Sequence, residues 1–224
     1  MRIRAVVFDA YGTLFDVYSV GELAETLFPG QGRVLAELWR DRQIDYTRLR
    51  TLSGRYRPFS EVTRDALRFA VQKLKLAASD EMIQRLLDQY DRLEVFPENR
   101  DALSRLRELG LPLAILSNGD PPMLAKILAH SGLGPYFDHV LSADQVGSFK
   151  TAPEVYRLAP NALGLPCEEM LFVSSNGWDA CGARWFGYPS FWINRTSQPA
   201  EELGIIPNAS GSNMDEVVRF ITAQ

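Results

Sequence analysis

Four short polar stretches hold the side chains able to do chemistry. They are Asp9, the run Ser117-Asn118-Gly119-Asp120, Lys150, and the run Ser174-Ser175-Asn176-Gly177-Trp178-Asp179. Carboxylates, a hydroxyl beside an amide, and an ammonium group are the kinds of side chain that serve as nucleophile, base and charge partner. The helix that starts after Asp120 also offers free N–H groups to an anion. Taken singly, each residue has a plainer explanation. Asp9, Ser117 and Ser174 could be caps, Lys150 a surface lysine, and Asp179 a first-turn acid favoured by the helix dipole. Four such stretches in one chain, each at a strand end, make a shared site the better reading.

The elements that must position them are legible from periodicity. Ala5 to Phe8 is an apolar run without alternation, as expected of a strand covered on both faces in a parallel sheet. Asp9 follows it directly, in the crevice beyond strand ends where open parallel sheets bind ligands, and Gly12 lets the chain turn. From Pro97 onward apolar strands alternate with helices: helix 98–109, strand 112–116, helix 121–131, strand 138–141, helix 153–163, strand 170–174, helix 178–186 and strand 189–193. This predicts an α/β chain with a doubly wound, Rossmann-like parallel sheet. Residues 16–96 read as helical throughout, with helices over 19–28 and 33–52, another from Ser60, and a fourth over 80–93. The predicted organisation is a core of residues 1–15 and 97–224 with a helical-bundle cap, 16–96, inserted after the first strand. In the long helix Leu35, Leu38, Trp39, Tyr46 and Leu49 form a packing stripe, while Ala36, Arg40 and Ile44 put one cation on another face. Beyond Arg195 the signal is weak until a final helix over 214–222.

Composition narrows the function. The chain has 224 residues, 46% of them apolar and 23% charged, enough for one core and a smaller inserted unit. A net charge of −4 argues against a nucleic-acid groove. The basic residues from Arg33 to Arg57 are interleaved with Glu37, Asp41 and Asp45 and read as a solvated helix face. Cys167 and Cys181 make neither a disulfide framework nor a Cys-x-x-Cys pair, as suits a reducing cytoplasm. No apolar run approaches the ~18 residues of a membrane span, and no leader is legible. His130 and His139 match no motif and read as structural.

On these motifs the chain resembles the haloacid dehalogenase superfamily over nearly its whole length. It is closely similar to the L-2-haloacid dehalogenase family in the runs Phe8 to Val17, Leu38-Trp39-Arg40, Leu116 to Gly119 and Phe172 to Asn176. Phosphatases of the superfamily carry a second Asp two residues after the nucleophile and paired acids in the last motif; this chain has Tyr11 and Ser175 there. Loss of a general acid costs alkoxide expulsion ~10²–10⁴-fold, and a hard cation is short of charged oxygens, whereas halide departs unprotonated. The resemblance therefore implies hydrolysis of (S)-2-haloalkanoic acids to (R)-2-hydroxyalkanoic acids through an ester on Asp9, without cofactor or metal. It implies that Arg40 receives the halide, helped by Asn118 and Trp178, and that Ser117 and Lys150 hold the substrate carboxylate. Asp179 would activate water, with Ser174 and Asn176 orienting it and Thr13 bonding Asp9. Ala10, Tyr11, Phe59 and Tyr156 would line the substrate pocket, the aromatics as an apolar wall. A homodimer is implied as well. Two positions depart from the family pattern: Thr151 follows Lys150 where a proline is usual, and Asp41 stands beside Arg40 where a neutral glutamine is expected. The rival readings are a phosphatase acting on a small phosphate ester and a non-catalytic partner-binding module.

Overall fold

The computed structural model describes residues 2–223. In chain order the first elements are β1 (Ala5–Phe8), β2 (Phe15–Asp16), α1 (Val20–Leu27), α2 (Gly32–Leu52), α3 (Phe59–Lys73), α4 (Asp80–Tyr90) and β3 (Glu94–Val95). There follow α5 (Asn99–Glu108), β4 (Leu113–Ser117), α6 (Pro121–Ser131), β5 (His139–Ser142), α7 (Pro153–Tyr156) and α8 (Leu158–Leu163). The chain ends with β6 (Met170–Ser174), α9 (Gly177–Phe186), β7 (Ser190–Ile193), β8 (Ala209–Gly211) and α10 (Met214–Thr222).

The main sheet runs β5-β4-β1-β6-β7-β8 with every neighbouring pair parallel. Counted along the sheet this is the doubly wound order 3-2-1-4-5-6, so the switch point lies beside β1, where ligands bind in such folds. β1, β4, β6 and β7 are buried along their whole length, which is why their apolar runs lack alternation. The doubly wound expectation therefore holds. The helices α1 to α4, which follow β1 in sequence and precede the remaining strands of the main sheet, pack on one another. A two-residue antiparallel pairing of β2 with β3 joins the strands entering and leaving them.

Three details differ from the sequence reading. The helix expected over 153–163 is broken at Arg157 into α7 and α8. Pro160 lacks an N–H and its ring crowds the carbonyl of Tyr156, four residues back. That freed carbonyl accepts the Tyr188 hydroxyl at 2.7 Å instead. β8 pairs with β7 although its three residues carry no apolar pattern. The packing stripe of α2 is also shorter than expected: Leu35 and Trp39 are buried, but Leu49 is 58% exposed.

Asp120 ties the helical segment to the sheet. One carboxylate oxygen caps α6 by accepting the Met123 N–H at 3.1 Å, and the other accepts the Ser60 N–H in the first turn of α3 at 2.7 Å. One side chain thus neutralises the exposed amides of two helix starts. Asp120→Ala is expected to destabilise the fold by about 2–3 kcal/mol, a loss of capping at both ends. Asp120→Asn, which keeps one acceptor, should lose less. Urea denaturation checks this, with a lower midpoint and an unchanged m-value expected.

Candidate active site

Asp9 lies at the carboxyl end of β1, 5% exposed, with its own N–H bonded to the Val173 carbonyl of β6 at 2.9 Å. Its Oδ1 receives Lys150 Nζ at 3.0 Å. Its Oδ2 receives the Asn176 amide at 2.8 Å and the Thr13 hydroxyl at 3.0 Å, with Ser174 Oγ at 3.5 Å. The turn that follows is closed by the Ala10 carbonyl, which accepts the N–H groups of Leu14 at 2.8 Å and Phe15 at 3.1 Å. Gly12 takes φ +95° in this turn, and a Cβ there would stand 3.1 Å from Ser175 Oγ. Only glycine suits both demands.

Lys150 reaches between two acids. Its ammonium also meets Asp179 Oδ2 at 2.8 Å, and its backbone N–H is held by Asn118 Oδ1 at 2.9 Å. Lys150 and Asp179 are 2% and 0% exposed. Burial works against the ammonium form, but the charges of Asp179 and Asp9 outweigh it, and the Lys150 pKa is raised. For Asp179 burial is the larger influence: it raises the pKa, Lys150 pulls it back, and the charge of Asp9 pushes it up again, leaving it above the ordinary carboxylate range. A carboxylate whose proton affinity is raised is a stronger base than an exposed one.

The Tyr156 hydroxyl donates to Asp179 Oδ1 at 2.7 Å. This corrects the expectation that Tyr156 forms part of an apolar wall. The residue is fully buried and meets the catalytic layer through its polar end, because a buried phenol must find an acceptor. The Tyr156 bond favours ionised Asp179. Tyr156→Phe is therefore expected to raise the Asp179 pKa further. If ionised Asp179 is needed for turnover, activity persists above its pKa and the acid limb of the kcat profile moves to higher pH. A pH–rate comparison of the two proteins checks this.

From the helical segment, α2 brings Arg40 to the same place, 9% exposed. One terminal nitrogen bonds the Tyr11 carbonyl at 3.2 Å and Asn176 Oδ1 at 3.3 Å, so Asn176 touches both Asp9 and Arg40. Tyr11 stacks on Tyr90 at 5.6 Å and lies 5.7 Å from the Phe59 ring. Ser117 is buried at the end of β4, its Oγ accepting the Gly119 N–H at 3.0 Å. Ser174 Oγ likewise accepts the Asn176 N–H at 3.1 Å. A cleft of about 310 Å³ opens beside this cluster, with Arg40, Asn176 and Gly12 at one side and Arg195 at another.

Two expected residues stand in other company. Trp178, in the first turn of α9, lies under the guanidinium of Arg48 at 5.2 Å, and no hydrogen bond joins it to Arg40 among the described residues. Asn118 is engaged in fixing the Lys150 backbone. Asp41 is exposed on α2 and is no hydrogen-bond partner of Arg40. Sequence reading missed Asn99 and Arg195, which bond the carbonyls of Thr13 and Leu14 behind the Asp9 turn. It also missed Gln43, whose i,i+3 spacing from Arg40 was the available signal. Among the described residues no cluster of three or more His, Cys, Asp and Glu stands ready for a metal ion.

A parallel α/β core with a nucleophile-ready Asp at its switch point, a buried lysine between two acids and an arginine lowered from inserted helices defines a class. The family model described as haloacid dehalogenase-like hydrolase matches residues 3–187. An (S)-2-haloacid dehalogenase of Pseudomonas sp. (strain YL) is 47% identical over 218 residues, which is 97% of this chain and 94% of that protein. The crystal structure of an L-2-haloacid dehalogenase, 54% identical, superposes with a TM-score of 0.97 over 99% of this chain and 100% of that one. The L-2-haloacid dehalogenase of Xanthobacter autotrophicus, solved with chloropropionic acid covalently bound, is 36% identical with a TM-score of 0.93 over 99% of each chain. The chain belongs to the 2-haloacid dehalogenase family of haloacid dehalogenase-like hydrolases.

Proposed function

We propose that this protein hydrolyses (S)-2-haloalkanoic acids to (R)-2-hydroxyalkanoic acids and halide. The observation that carries the reading is the clamp on Asp9. A carboxylate that accepts Lys150 on one oxygen and Thr13 and Asn176 on the other is a fixed nucleophile within reach of an arginine. The relatives named above and the covalent chloropropionic acid adduct of the Xanthobacter enzyme support the same chemistry.

In the first step an Asp9 carboxylate oxygen attacks C2 from behind the carbon–halogen bond. The new C–O bond forms as the halide leaves with the bonding pair, and C2 inverts. Arg40, permanently charged and weakly hydrated, is suited to receive that anion. The Ser117 hydroxyl donates a hydrogen bond and Lys150 offers its charge to the substrate carboxylate, which keeps C2 in line. In the second step water attacks the Asp9 Cγ as Asp179 takes one of its protons. The bond from Cγ to the substrate-bearing oxygen then breaks, that oxygen receives the proton from Asp179, and the second water proton is lost to solvent as Asp9 returns to a carboxylate. The hydroxy acid departs with an oxygen that began on Asp9. Ser174 and Asn176 orient the water. The segment 16–96 acts as a cap that carries Arg40, Phe59 and Tyr90 to the core formed by 1–15 and 97–224. A homodimer in the cytoplasm completes the reading; the exposed Leu49 and Leu52 of α2 offer apolar surface to a second copy.

The test is halide release from (S)- and (R)-2-chloropropionate, with chiral analysis of the product. Release from the S isomer alone, giving (R)-lactate, is expected. Phosphate release from an aryl phosphate in the presence of Mg²⁺, without halide release, would establish the phosphatase instead.

A further inference from the structure

We propose that Gln43 is a positioning residue for halide departure, holding Arg40 by a neutral buried amide so that the guanidinium keeps its charge for the leaving anion. This rests on the dehalogenase reading and extends it to a residue that touches neither substrate nor Asp9. Gln43 is fully buried, one helical turn beyond Arg40 on α2. Arg40 Nη1 donates to Gln43 Oε1 at 2.7 Å, and the Tyr90 hydroxyl of α4 donates to the same oxygen at 3.1 Å. Gln43 Nε2 donates to Thr63 Oγ1 of α3 at 2.7 Å. The Thr63 hydroxyl in turn donates to the Phe59 carbonyl at 2.7 Å.

The direction of this chain is forced. A hydroxyl has one proton, and that of Thr63 is committed to Phe59, so Thr63 can only accept from Gln43. The amide nitrogen must then face Thr63, and the amide oxygen must face Arg40 and Tyr90, which both donate. Three helices thus converge on one side chain, and both the oxygen and the nitrogen of the Gln43 amide have partners.

The choice of an amide matters electrostatically. A buried carboxylate in its place would hold Arg40 as firmly but cancel much of its charge, and in a site sheltered from water that cancellation is large. With Gln43 the two core-facing bonds of Arg40 also go to neutral acceptors, the Tyr11 carbonyl and Asn176 Oδ1. The nearest acid in sequence, Asp41, is exposed on the helix surface. An anion arriving at Arg40 therefore meets a cation fixed in place but not yet paired.

The test compares the parent with Gln43→Leu and Gln43→Glu. The readouts are kcat and KM for (S)-2-chloro- and (S)-2-bromopropionate, and the inhibition constant for added chloride. Gln43→Leu is expected to lower kcat about 10- to 100-fold, the worth of a hydrogen bond to a charged group. KM should change far less, and the loss should be greater for chloride, the poorer leaving group, than for bromide. Gln43→Glu is expected to fold normally and to weaken inhibition by chloride at least about tenfold. Thr63→Val, which frees the amide to turn, should move the same quantities in the same direction by less and serves if Gln43→Leu does not fold. An unchanged chloride inhibition constant and an unchanged ratio of chloro to bromo turnover in these variants, with the parent active, would overturn the role of Gln43. A parent that releases no halide would overturn the dehalogenase reading itself, and this inference with it.

Discussion

Asp9→Asn is expected to abolish turnover, with kcat falling by about 10⁴-fold or more, because the step that fails is the formation of the covalent bond itself. The amide nitrogen is not nucleophilic, and it must face a donor whichever way it turns: Lys150 on one side, or Asn176 and Thr13 on the other. That mismatch costs about 1–3 kcal/mol, small enough to leave a folded protein of this size. Loss of activity with a retained cooperative melt therefore assigns the chemistry to this carboxylate. A single turnover of the parent in ¹⁸O-water refines the result. Water enters at Cγ, so the label is expected in the Asp9 carboxyl while the first hydroxy acid released carries ordinary oxygen. Label in the product alone would mean that water attacks C2 directly, with Asp9 as its base. Retained turnover in Asp9→Asn would move the search for a nucleophile to Asp179.

Much of this site was legible because it depends on backbone regularities that short-range sequence carries. Runs such as Ala5 to Phe8 and Met170 to Val173 lack alternation because both faces of the sheet are covered, and a parallel sheet gathers its strand ends at one rim. Asp9, Ser117 and Ser174 meet there without any need to foresee side-chain contacts. What was not legible depends on partners distant in sequence. Tyr156 reads as one more core aromatic until α9 sets Asp179 over its hydroxyl. Asp120 looks like an ordinary helix cap, and its second bond, to Ser60, exists only once α3 has docked. The Arg48 guanidinium that lies over the Trp178 ring comes from α2, about two turns beyond Arg40 and 130 residues away in sequence. Gln43 is polar and mid-helix, a pattern that reads as solvent-facing until three helices close over it.

Lys150→Met probes the charge balance beneath all of this. The substitution keeps an apolar stem of similar length and removes the only cation that, among the described residues, is bonded to both Asp9 and Asp179. Two buried carboxylates are then left facing each other, and breaking such an arrangement costs about 3–5 kcal/mol. Activity is expected to fall by about 10³-fold or more, through lost substrate anchoring and a nucleophile no longer held in place by the ammonium group. The pH dependence separates this from a general loss of packing. Lys150 is raised in the folded parent, so its contribution to stability is complete below the unfolded value of about 10.4 and is lost as pH rises through its folded pKa. In the variant that alkaline loss disappears. Asp179 is already raised in the parent with Lys150 pulling it down, so removing the lysine lifts it further. A carboxyl whose folded pKa lies above its unfolded one favours folding more as pH falls through the folded value. Urea midpoints of Lys150→Met should therefore rise as pH is lowered from 7 towards the unfolded carboxylate range, while activity stays lost. A variant whose midpoint is indifferent to pH across that interval would mean that the two carboxylates are not coupled through this ammonium group.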